Sequence, residues 1–109
     1  MKIERIEDKG NLLALIVRGN DYDEGVFFPS TEKEPFQIGL HRQKKGKIIP
    51  SHRHYPVSFE NLQFSEFFYI VKGKIKISLF NAEKEKVKEV IIESGDIIYI
   101  LEGHGMEVL

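Results

Sequence analysis

Two observations predict an all-β sandwich or barrel. Apolar residues arrive in short runs rich in Ile, Val, Phe and Tyr, split by Gly, Pro, Asn or charge clusters about every ten residues. The stretch Lys74-Ile-Lys-Ile-Ser-Leu-Phe80 also alternates strictly, so Ile75, Ile77 and Leu79 share one face while Lys74, Lys76 and Ser78 share the other. Helical periodicity has little support in the 109 residues.

Taken in order, the first strands are expected at Lys2 to Ile6 and Leu12 to Arg18, apolar runs divided by a charged, glycine-containing stretch. Gly19 to Glu34, with Asp21, Asp23, Gly25 and Pro29, reads as irregular, and Phe36 to Gln43 as the next strand. Tyr55 to Ser65 is a second irregular segment. Phe67 to Val71 and Ile97 to Leu101 are apolar on both faces, as strands held between a barrel interior and a partner subunit or covering segment would be. A homodimer is the expectation that follows.

Val71-Lys-Gly73-Lys is expected to join Phe67–Val71 to Lys74–Phe80 in a tight hairpin, with Gly73 supplying positive φ. Asn81 to Lys86 reads as a longer hairpin loop leading to a strand at Val87 to Glu93. Gly105 to Leu109 is the last strand expected.

Composition narrows the function classes. Net charge is −1, so no strong overall field draws the chain to nucleic acid or an anionic membrane, and neither is expected as a partner. With no cysteine, disulfides, thiolate sites and cysteine nucleophiles are excluded, which leaves His and carboxylate as the strong protein ligands. The charged amino-terminal stretch MKIERIEDKG and the lack of a membrane-length apolar window predict a soluble, cytoplasmic protein. Phosphate-binding glycine loops and the G-x-S-x-G elbow are absent.

Four residues could carry chemistry. His52 and His54 flank Arg53 just after Pro50, and on an extended strand both imidazoles would point to one face, preorganised for adjacent positions around a divalent ion. Two exposed surface histidines would look the same in sequence. Glu66 is a carboxylate opening one of the most apolar stretches, and His104 stands between Gly103 and Gly105, where backbone can turn sharply. Each of these also has a plain reading, as a solvated strand end and a turn residue. His41, beside Arg42, Lys44 and Lys45, reads as part of a solvated face, and the lysines there are too few to suggest nucleic-acid binding.

Placed in order, these residues resemble the motifs of the cupin superfamily. Its first motif runs G-x5-H-x-H, then Glu, then x6-G; here Gly46 precedes His52-Arg-His54 by that spacing, and Glu66 precedes Gly73 likewise. The second motif, G-x5-P-x-G-x2-H, is approached by Gly95 to Met106, with Leu101 at the proline and Met106 at the final histidine. His104, two residues earlier, would face the same side of a strand as position 106. Eleven residues separate His54 from Glu66, where the family has three or four, so Tyr55 to Ser65 is expected to loop out. This spacing and the Gly-His-Gly ending are similar to single-domain bacterial cupins found near surface-sugar biosynthesis functions.

The resemblance implies a double-stranded β-helix, or small jelly-roll barrel, over residues 1–109 as one domain, with strands in 1–45 and the two motifs in 46–109. It implies a divalent metal, Fe, Mn, Zn or Ni, held by His52, His54, Glu66 and His104, and a small polar molecule such as a sugar derivative in the barrel. Tyr69 and Tyr99 are the candidate proton or hydrogen-bond donors. Implied activities are a metal-dependent dioxygenase, isomerase or epimerase; the alternatives are a non-catalytic metabolite binder and a metal-free ketoisomerase-like enzyme. Cupins ordinarily continue past the second motif, so either the amino-terminal strands and a partner complete the sheets or the chain is truncated at Leu109.

Overall fold

A computed structural model of the chain describes residues 2–56, 58 and 64–109. Every regular element among them is a β-strand and every pairing is antiparallel. The strands are β1 (Lys2–Asp8), β2 (Asn11–Arg18), β3 (Gly25–Phe27), β4 (Leu40–Arg42), β5 (Glu66–Tyr69), β6 (Lys74–Phe80), β7 (Lys86–Glu93), β8 (Ile97–Ile100) and β9 (His104–Val108). The chain divides into two compact units, one of Met1–Asp21 with Phe64–Leu109 and the other of Tyr22–Gln63.

The first unit holds a four-stranded sheet, β1-β2-β8-β5, and a three-stranded sheet, β7-β6-β9. Period-two alternation decides what each sheet buries. Ile6, Ala14, Ile16, Ile98 and Ile100 of the first sheet form one buried cluster with Ile77, Leu79, Val90 and Ile92 of the second, joined by Phe68 and Ile75 at its margin. Two sheets packed face to face follow from that cluster. Burying an Ile or Leu side chain contributes about 1.5–3 kcal/mol, so these residues dominate the unit's stability.

Local chemistry explains the turns. Lys9 and Gly10, at φ 51° and 80°, form the two-residue turn between β1 and β2, whose paired positive φ values suit the twist of a hairpin. A bulge follows, since Ile6 pairs with Ala14 and Glu7 with Leu12, and it turns Leu13 into the buried cluster. Between β6 and β7, Asn81 organises the loop: its Oδ1 accepts from the amides of Glu83 (3.1 Å) and Glu85 (2.9 Å), and its Nδ2 donates to Asp8 (3.1 Å).

The expected hairpin at Val71 to Lys74 does not form. β5 pairs with β8, and β6 with β7, so residues 66–80 and 86–100 make one long ribbon whose halves lie in the two sheets. The ribbon bends where Ile70 N–H donates to Asp96 O (3.0 Å), Gly95 N–H to Ile70 O (2.8 Å) and Ser94 N–H to Gly73 O (3.1 Å). Gly73 does take positive φ, 108°, at this bend. Its freedom serves a passage between sheets, not a strand reversal.

Asp96 locks the bend. Only 4% exposed, it accepts hydrogen bonds from the amides of Gly19 (2.9 Å) and Glu93 (3.0 Å), and Arg18 Nη1 lies 3.3 Å from its Oδ2. Arg18 also donates to Ile91 O and pairs with Glu4 at 3.3 Å, which ties β2 and β1 to the ribbon. A buried carboxylate is tolerated because each oxygen is satisfied.

β8 is apolar on both faces, as expected, and Leu15 and Val17 of β2 and Tyr99 of β8 are buried on the second face; β5, expected to be covered on both faces as well, is not. That face becomes exposed at the edge strand β5, through Phe67 and Tyr69.

In the second unit, β3 and β4 pair over three residues each. β3 arises within the segment expected to be irregular, and the strand expected over Phe36–Gln43 shortens to Leu40–Arg42. The reason is local: Ile38 N–H donates to Ser30 Oγ (2.7 Å), which diverts the backbone before Leu40. Buried Glu34 closes the preceding turn by accepting from Thr31 N–H (3.1 Å) and the Thr31 hydroxyl.

Candidate functional site

Glu66 opens β5 and His104 opens β9, each an edge strand of its sheet. Register sets their orientation. Glu66 pairs with Ile100, whose partner on the other side is Ala14, so the carboxylate lies on the face of the buried cluster. His104 pairs with Leu79 and Met106 with Ile77, which places both on the inner face of the second sheet. There Glu66 Oε1 and His104 Nε2 stand 3.7 Å apart.

The imidazole is held from two sides. Its Nδ1–H donates to Glu102 O (3.1 Å), and Phe68 meets the ring edge-on with centroids 6.0 Å apart. Because a carbonyl oxygen only accepts, Nδ1 carries the proton; a neutral ring then keeps its lone pair on Nε2, toward Glu66. The turn that presents His104 is fixed by Phe80 N–H donating to Gly103 O (2.8 Å). A Cβ at Gly103 would sit 3.4 Å from Phe80 Cβ, at the near limit of ordinary van der Waals contact.

His52 and His54 lie in the second unit, exposed and outside any strand, unlike the strand expected after Pro50. Their rings still share one side, edge to face with centroids 5.4 Å apart. His52 Nδ1 donates to Pro50 O (2.9 Å), leaving Nε2 open as in His104. His41 is exposed and meets Phe28 edge-on. Of the stretch expected to loop out, Val57 and residues 59–63 lie outside the described residues.

The structure thus brings Glu66 to His104, and His52 to His54. Among the described residues, no three His, Asp or Glu side chains gather about one point. Tyr69 and Tyr99 lie on the face of the first sheet opposite Glu66; Tyr99 is 1% exposed, with its hydroxyl 3.2 Å from Ser65 Oγ, and Tyr69 is open to solvent.

Donor chemistry at Glu66 and His104 suits a borderline or hard divalent ion. Two donors each about 2.1 Å from one ion, at a tetrahedral angle, are separated by about 3.4 Å. The observed 3.7 Å is within a small side-chain adjustment of that spacing.

No helix among the described residues is long and apolar enough to cross a membrane. Compared with family models, curated proteins and solved structures, the chain matches none.

Proposed function

We propose that this chain is a cupin-type, divalent-metal-binding protein that takes a small polar metabolite in a jelly-roll barrel. The meeting of Glu66 and His104 at 3.7 Å, from the edges of two different sheets, carries the reading. The bent ribbon of β5–β6 and β7–β8 supports it, because a ribbon folded across two sheets is how a jelly roll is wound. His52 and His54, in the G-x5-H-x-H spacing, are the proposed remaining ligands, and a second copy of the chain is the proposed partner.

His104 would present Nε2, aimed by the Nδ1–H bond to Glu102 O, and Glu66 would supply charge compensation. A divalent ion held there supplies Lewis acidity toward a carbonyl or hydroxyl of the substrate. Purified wild-type protein and the His104→Ala, Glu66→Gln and His52→Ala variants should differ in bound metal by elemental analysis, each variant losing most of it. Equal metal in all four would sink the proposal.

The same distance favours a second reading, in which Glu66 and His104 act without metal as an acid/base pair on an isomerisable sugar. Turnover that persists in chelator but disappears in both Glu66→Gln and His104→Ala would select it.

A further inference from the structure

The overall net charge conceals a strong local asymmetry. Residues 35–59 contain five of the sixteen Lys and Arg, three of the four His and none of the seventeen Asp and Glu. The remainder therefore holds eleven bases against seventeen acids. Within this basic segment, every described residue from His41 to Pro56 is exposed.

At its centre is a built turn. Lys47 N–H donates to Lys44 O (3.1 Å), and Gly46 between them takes φ 90°. The turn projects Lys44, Lys45 and Lys47 and is followed at once by Ile48, 81% exposed, and Ile49, 53% exposed. Lys44 is shared with Glu24 at 3.5 Å, and Arg42 donates to Tyr22 O (3.2 Å). Tyr55, 92% exposed, and Arg53 repeat the pairing of an apolar side chain with a cation.

We propose that the Lys44–Ile49 turn is a docking loop for an anionic lipid bilayer surface. Charge complementarity names the class of partner: lysines beside a polyanionic plane each gain attraction that falls off within a Debye length. The two isoleucines choose lipid over nucleic acid. Aliphatic chains do not stack on bases, whereas at a headgroup boundary they leave water for acyl chains. This inference does not depend on a metal, since it uses neither Glu66 nor His104.

Vesicles of phosphatidylcholine, alone or mixed with phosphatidylserine, provide the test. Wild-type protein should co-sediment with the mixed vesicles only and be released by high salt. Lys44→Glu/Lys45→Glu/Lys47→Glu should weaken binding by about a hundredfold, and Ile48→Asp/Ile49→Asp should weaken it by at least tenfold. All these positions are exposed, so the variants should keep the wild-type fold, to be checked by circular dichroism. The chain has no tryptophan, so Ile49→Trp offers a single reporter whose emission should shift to the blue on mixed vesicles. Equal binding to both kinds of vesicle, or an unshifted emission spectrum of the Ile49→Trp variant, would overturn the proposal. So would binding to an oligonucleotide, but not to vesicles, that survives Ile48→Asp/Ile49→Asp.

Discussion

Asp96→Ala should be among the most damaging single substitutions outside the apolar core. The change removes the acceptor for two amides, Gly19 and Glu93, and leaves Arg18 facing a gap where it had a carboxylate at 3.3 Å. Hydrogen bonds to a charged group contribute about 1.5–3 kcal/mol each, and breaking a buried pair from one side costs about 3–5 kcal/mol. Arg18 is partly exposed and can recover some hydration, so about 3–5 kcal/mol is the expected loss for the whole substitution. Domains of this size have about 5–15 kcal/mol in total, so the variant should be marginal. Urea unfolding followed by circular dichroism checks it: with a slope of about 2 kcal/mol per molar, the midpoint should fall by about 2 M. Asp96→Asn, which keeps one oxygen acceptor, should lose about half as much. A loss below about 1 kcal/mol for Asp96→Ala would refute the argument that this carboxylate holds the ribbon's bend.

Gly73→Ala should cost about 1–3 kcal/mol in the same assay, because φ 108° strains any L side chain even though nothing crowds the site; an unchanged midpoint would mean the bend can relax. The Lys86 ammonium, hydrogen-bonded to Glu89, holds that carboxyl below its ordinary value. Its contribution to stability is therefore present above the usual glutamate range and lost as pH falls through the depressed folded value. Carbon-detected NMR titration should show Glu89 returning to the ordinary range in Lys86→Ala. If a divalent ion binds at Glu66 and His104, adding it at a hundred times its Kd should raise wild-type stability by about 2.7 kcal/mol and leave His104→Ala unchanged.

The Glu89 pairing shows how one irregularity redirects chemistry. Residues three apart on a regular strand face opposite sides, yet Lys86 and Glu89 meet. Leu79 pairs with Lys88 and Phe80 with Lys86, so Val87 is an extra residue that moves Lys86 to the Glu89 face. No pattern in residues 86–93 announces that bulge.

The sequence by itself determined the all-β character, the alternation of β6, the double-sided burial of β8 and the positive φ of Gly73. All of these depend on neighbours within a few residues, where backbone geometry and side-chain period act directly. Which strands pair was decided only in the tertiary structure: Gly73 serves a hairpin turn and a passage between sheets equally well, and long-range packing of β5 on β8 selected the passage. The same holds for Ile38, whose amide went to Ser30 Oγ and shortened the expected strand, and for Asp96, a carboxylate beside a glycine until Gly19, Glu93 and Arg18 close around it. Glu66 and His104 were each legible as an unusual polar residue at an apolar strand. Their meeting was implied only by the motif resemblance and not by local pattern, because it requires the edges of two sheets to be brought together by a core that neither residue belongs to.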